Sequence, residues 1–135
     1  MISKMTHISI YVLDQQRAVE FYTTKLGCKI VVDVPMPDGD RWVTVAPSEQ
    51  PGFEIILSPL TRGSKSSETI AALSDLIKKG TFGVGVFTSH DIYTTYEEMK
   101  AKGVEFIKAP KQEPFGLEAL FKDDSGNWFS LAQLK

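Results

Sequence analysis

Cysteine occurs once in these 135 residues, at Cys28, and histidine only twice, at His7 and His90. A single thiol cannot close an internal disulfide, so the chain is not a cross-linked scaffold. No unbroken apolar run reaches the length of a membrane span, and no charged-then-apolar leader opens the chain. These absences make a reducing cytoplasm the expected location. Charge of one sign is also scarce: the net value of −2 gives no electrostatic reason to expect nucleic acid or an anionic membrane as partner. Gly83 and Gly85 are not followed by a Gly-Lys-Ser/Thr sequence, which excludes a phosphate loop. Serine and cysteine nucleophiles lack supporting context, and Cys28 beside Gly27 reads as structural. What remains is a 42% hydrophobic, 24% charged chain, ordinary for a globular protein able to bury a core as one domain or as two small halves.

Within THISIYVLDQQRAVEFY, residues 6–12 alternate, with Ile8, Ile10 and Val12 on one face and His7, Ser9 and Tyr11 on the other. That is the pattern of a half-buried strand. Asp14 offers an N-cap, and Ala18, Phe21, Tyr22 and Leu26 follow at helical spacing until Gly27 supplies a stop. Strands are predicted at 28–34, 42–46 and 53–57, with PMPDGDR as a hairpin loop. The polar stretch TRGSKSSE then leads into a short helix whose Ile70, Leu73, Leu76 and Ile77 share one face, closed by Gly80.

From Thr81 the same order begins again: strand GVGVFTS, cap Asp91, helix IYTTYEEMKAK, stop Gly103, then strands VEFIKA, LEALFK and WFSLAQ. Asp14 falls on Asp91 and Glu20 on Glu97 at an offset of 77, whereas Gly27 falls on Gly103 and Val45 on Phe121 at 76. One residue deleted near the end of the repeated helix, in the second half, reconciles the two offsets, so the chain reads as a duplication.

HISIYVLDQQRAVEFYTTKLGCKI and FKDDSGNWFSLAQ resemble the opening and closing units of the vicinal oxygen chelate superfamily, which includes glyoxalase I, extradiol dioxygenases and bleomycin-resistance proteins. RWVTVAP, LIKKGTFGVGVFTSHDI and EPFGLEALFKDDSGN resemble a bacterial group of glyoxalase-like proteins within it. The resemblance implies an α+β fold of two tandem βαβββ modules, curved mixed sheets around a cavity with helices outside. It makes residues 1–135 a single glyoxalase-like domain, with module one at about 4–60, a connector helix at about 61–80 and module two at about 81–135. It also implies a homodimer.

In metal-dependent members of that family, four ligands sit on the first and fourth strands of each module. Carried over position by position, His7 and Glu54 stand at the two places in the first half, and Val84 and Ser130 at those in the second. Two protein ligands alone hold a divalent transition ion poorly, where catalytic sites use three. His90, six residues from Val84, is about 20 Å along the strand and cannot substitute for it. The expectation is therefore no cofactor, with a divalent metal at His7 and Glu54 as the alternative. By strand parity the cavity wall would be lined by His7, Ser9, Tyr11, Trp42, Thr44, Glu54, Glu118 and Ser130, while Val43, Val45, Ile55 and Leu57 fill the core. Trp42 would offer a flat apolar surface, Arg41 falls on the opposite face, and Phe115 lies in a loop that borders the cavity mouth in relatives.

Two functions compete. The first is a binding module that holds a small, partly aromatic molecule without the full metal site. The second is a lyase, isomerase or dioxygenase-type enzyme of the lactoylglutathione-lyase kind, with Glu54 as general base. A simple ion pair between His7 and Glu54 is the plainest structural alternative to both.

Overall fold

A computed structural model describes residues 1–135, which divide into two units, Met1–Ser74 and Asp75–Lys135. The first opens with strand β1 (His7–Val12), where Ile10 and Val12 are buried and His7, Ser9 and Tyr11 exposed, so the alternation of the sequence carries through. Asp14 caps helix α1 (Gln15–Glu20), its Oδ1 accepting the Arg17 N–H at 2.9 Å. Beyond it, from Phe21 to Lys25, the helix widens, and the Leu26 N–H reaches back five residues to the Phe21 carbonyl at 3.3 Å. The hydroxyls of Thr23 and Thr24 assist, donating to the carbonyls of Val19 and Glu20 at 2.7 and 2.5 Å. A wide turn of this kind accommodates one more residue than an α-turn. It lies between Glu20 and Gly27, the interval in which the offset between the halves falls from 77 to 76, and so accounts for the extra residue.

Strands β2 (Lys29–Pro35), β3 (Arg41–Ala46) and β4 (Glu54–Pro59) complete a sheet of order β1-β4-β3-β2. The β1–β4 pair is parallel and the others are antiparallel. Val12, Val43, Val45, Leu57 and Tyr22 are fully buried, and Phe21 meets Tyr22 edge to face at 5.4 Å. Burying each such side chain contributes about 1.5–3 kcal/mol. Gln15 ties helix to sheet: its amide donates to the carbonyls of Arg41 and Leu57 at 2.7 and 2.9 Å and accepts the Arg41 N–H at 3.1 Å. Cys28 lies in this core, and burial pushes its thiol up to about 11.

Helix α2 (Ser67–Lys78) follows. Of the four apolar residues expected to share a buried face, only Ile77 is buried, and Leu76 is exposed. The docked part is the last turn, where Gly126 approaches so closely that a Cβ there would lie 2.3 Å from the Ile77 carbonyl oxygen.

The second unit repeats the plan with β5 (Gly83–Thr88), α3 (Ile92–Ala101) capped by Asp91, β6 (Phe106–Glu113), β7 (Gly116–Lys122) and β8 (Trp128–Leu134), in order β5-β8-β7-β6. Its core is more aromatic: Phe87 lies 4.9 Å from Phe129, Phe121 5.6 Å from Phe129, and Tyr96 4.6 Å from Phe106. The β7–β8 connection is built on Asp123. Its Oδ1 accepts the N–H groups of Ser125, Gly126 and Asn127 at 2.9, 2.9 and 3.0 Å, and its Oδ2 accepts the Asn127 amide at 3.0 Å. One buried carboxylate thereby satisfies three main-chain donors and closes the turn tightly. No helix is long and apolar enough to cross a membrane.

Candidate functional site

The parallel pairing of β1 with β4 sets His7 opposite Glu54, Ser9 opposite Ile56 and Tyr11 opposite Ser58. His7 Nε2 lies 3.3 Å from Glu54 Oε2, and the other Glu54 oxygen accepts the hydroxyl of fully buried Thr44 at 2.6 Å. His7 Nδ1 is in turn 2.8 Å from the Thr6 hydroxyl. The structure thus brings His7, Thr44 and Glu54 together as one chain of polar contacts, with both carboxylate oxygens engaged. Trp42, two residues from Thr44 and so on the same face of β3, is half-buried, as is Glu54. Arg41 points the other way, as its parity requires, and grips Asp33 with two hydrogen bonds of 3.1 and 2.6 Å. That bidentate contact holds the Asp33 carboxyl below its ordinary value and raises the Arg41 guanidinium.

Two residues of this face escape a sequence reading. Arg62 lies over the Trp42 ring at 5.5 Å while donating from Nη2 to the Arg41 carbonyl at 3.0 Å. Lys65 lies over the Tyr11 ring at 4.7 Å and donates to the Arg62 carbonyl. Both belong to TRGSK, which reads as a polar connector. The signal that could have found them is a basic pair within reach of a strand face carrying two aromatics.

In the second unit Glu118 accepts the Ser130 hydroxyl at 2.7 Å on one oxygen and pairs with Lys108 at 2.8 Å on the other, while Lys108 also reaches Glu113 at 3.2 Å. Lys108 first and Ser130 second hold Glu118 below the usual glutamate range, against the opposing effect of burial. Its two carboxylate partners raise Lys108. Phe115 is exposed between β6 and β7, and His90 is exposed beside the Asp91 cap.

Strand pairing corrects the register of the second half's fourth strand. Thr44 pairs with Ile56 and Val45 with Ile55, whereas Leu120 pairs with Ser130 and Phe121 with Phe129. Ser130 is therefore the counterpart of Ile56, and Trp128 the counterpart of Glu54. The offset falls from 76 to 74 because the connection before β8 spans 123–127 and that before β4 spans 47–53, two residues longer. On β5 the pairing slips between Gly83 and Gly85, leaving Val84 in the irregularity and Gly83 opposite Trp128. Where the first unit has an imidazole facing a carboxylate, the second has a glycine covered by an indole: a Cβ on Gly83 would lie 2.2 Å from Trp128 Cζ2.

By strand pairing the four family positions therefore carry His7, Glu54, Gly83 and Trp128, two donors and two residues that donate nothing, and Val84 lies in the irregularity. No three His, Cys, Asp or Glu side chains gather anywhere in the chain. That donor set does not fit a family-type divalent centre, which needs at least three protein ligands.

Two βαβββ units, each a four-stranded sheet entered through a parallel β1–β4 or β5–β8 pair, define the class. The chain belongs to the Glyoxalase/Bleomycin resistance protein/Dioxygenase superfamily, whose family model matches residues 4–131. It is 36% identical over 135 residues to the uncharacterized protein YetH of Bacillus subtilis (strain 168), covering 98% of this chain and 100% of YetH. Among solved structures it resembles UcmS2 with a TM-score of 0.92 and 43% identity, covering 98% of each chain. It also resembles TnmS3, an antibiotic binding protein from Streptomyces sp. CB03234, with a TM-score of 0.77 and 26% identity over 99% of this chain and 98% of that one.

Proposed function

We propose that this protein binds a small, partly aromatic molecule against the face of the first sheet that carries His7, Ser9, Tyr11, Trp42, Thr44 and Glu54, and that it does so without a metal ion. The observation that carries the reading is the placement of the Trp42 and Tyr11 rings on the side of the sheet that the helix leaves open, beside a polar chain of buried Thr44, half-buried Glu54 and exposed His7. Aromatic surface with a few fixed polar groups is the usual composition of a small-molecule site. The likeness to TnmS3, described as an antibiotic binding protein, supports the same reading.

In this proposal Glu54 serves as a positioned hydrogen-bond acceptor, its two oxygens oriented by Thr44 and His7. A lyase or isomerase of the glyoxalase kind would need a carboxylate free to take a proton and a third metal donor.

A thermal-shift screen with aromatic metabolites and antibiotics tests the proposal. A ligand at a hundred times its dissociation constant stabilises by about 2.7 kcal/mol. The expected result is a concentration-dependent rise in Tm for at least one planar aromatic compound, abolished by Trp42→Ala. A screen in which no compound moves Tm, or in which the rise survives Trp42→Ala, overturns it.

A further inference from the structure

We infer that the ligand of this face carries a negative charge on its aromatic ring, and that Arg62 and Lys65 are the groups that receive it. The inference rests on the small-molecule reading of the Trp42 and Tyr11 face and names the class of molecule: a planar aromatic anion such as an arenecarboxylate or a phenolate.

The geometry starts from where the cations lie. Arg62 and Lys65 come from the segment directly after β4 and fold back over the two rings of the site, at 5.5 Å from Trp42 and 4.7 Å from Tyr11. Lys65 donates to the Arg62 carbonyl, and Arg62 Nη2 donates to the Arg41 carbonyl at 3.0 Å, so main-chain oxygens hold the segment in place. The partners of both cations are thus ring faces and neutral carbonyls, none of them a carboxylate. This differs from Arg41 and Lys108, each of which has a carboxylate within 2.8 Å.

Arg62 also buries its Nε with no acceptor in the protein. A buried guanidinium N–H without an acceptor costs free energy, and a charge with no opposite charge costs more. Glu54, the carboxylate of this face, contacts Thr44 and His7 instead and forms no ion pair with either cation. Two cations on this face with no carboxylate partner therefore favour an acceptor that arrives with the ligand, at the nitrogens other than the buried Nε. A carboxylate answers a guanidinium best, because its two oxygens match the planar fork, while the ring that bears it packs against the indole and phenol edges left beside the cations. A neutral ring would gain only the packing.

Calorimetric titration of the full chain with 2-naphthoate, neutral 2-naphthamide and cationic 2-naphthylmethylamine separates the two contributions on one ring. A charge-assisted hydrogen bond is worth about 1.5–3 kcal/mol, so the expected order is naphthoate tighter than naphthamide by about tenfold or more, with the amine weakest. Arg62→Gln and Lys65→Gln should each narrow the naphthoate-to-naphthamide ratio, whatever either does to naphthamide binding itself. If Arg62→Gln does not fold, the order of the three probes on the unaltered chain and the Lys65→Gln ratio still decide. Equal binding of the three probes, or a preference for naphthoate that persists in the variants, overturns the charge assignment and leaves the aromatic site standing. Absence of binding by all three overturns the aromatic site and this inference with it.

Discussion

Glu118 is a residue on which acid should act. Lys108 at 2.8 Å and the Ser130 hydroxyl at 2.7 Å both favour its ionised form, and its pKa is lowered accordingly. A carboxyl whose folded pKa lies below its unfolded one lends stability that is fully present above the unfolded value, about 4.3 for glutamate. That stability is lost as pH falls through the lower, folded value. Lys108 works in the opposite sense: its pKa is raised, so its share is present below the ordinary lysine value of about 10.4 and fades as pH climbs past it. Asp33 and Asp91 are lowered as well, so the wild-type acid profile is composite. Glu118→Gln keeps the shape but removes the charge. Its Tm should lie below wild type near neutrality, and the two profiles should converge as pH falls from above the ordinary glutamate value through the lower, folded one. Parallel profiles over that range would show that Glu118 contributes nothing through its ionisation.

At the level of the element, the pairing of β5 with β8 depends on a missing side chain. Gly83 lies beneath Trp128, and a Cβ placed there would sit 2.2, 2.6 and 2.6 Å from three ring carbons, closer than packed atoms tolerate. Gly85, two residues on, has nothing within 4 Å. Gly83→Ala should therefore destabilise by about 1–3 kcal/mol through overpacking. Gly85→Ala on the same strand should stay within about 0.5 kcal/mol of wild type. Urea unfolding monitored by circular dichroism compares the two, and equal costs would falsify the role assigned to the indole. The same strands show what was legible in advance. The duplication could be read from Asp14 and Asp91, because a cap followed by helical spacing is a local signal that survives loss of identity. The register of β8 could not, since a loop shortened by two residues around Asp123 leaves no local trace and appears only as hydrogen-bond pairing. Alternation placed His7, Trp42, Thr44 and Glu54 on one face, whereas Arg62 and Lys65 sit in a loop without periodicity and reach that face only through the folded backbone.

For the whole molecule, the two units share a topology and have diverged in chemistry. One sheet carries imidazole, carboxylate and aromatic rings under two cations; the other carries an ion-paired Lys108 and a tryptophan where a ligand pair would stand. Divergence of this kind bears on metal binding, because the family's ligand set draws two positions from each unit and this chain's second unit contributes Gly83 and Trp128. A metal held at a hundred times its dissociation constant would add about 2.7 kcal/mol, which for a chain of this size is a rise in Tm of several degrees. Neither EDTA treatment nor added Zn²⁺ or Ni²⁺ should therefore move Tm by that amount, and elemental analysis of protein purified without chelators should find well under one ion per chain. The affinity for 2-naphthoate should likewise be the same before and after EDTA. A stoichiometric metal, or a Tm that falls with EDTA and recovers with Ni²⁺, would mean that His7 and Glu54 separate to bind an ion and find further donors, and the metal-free reading of the site would be withdrawn.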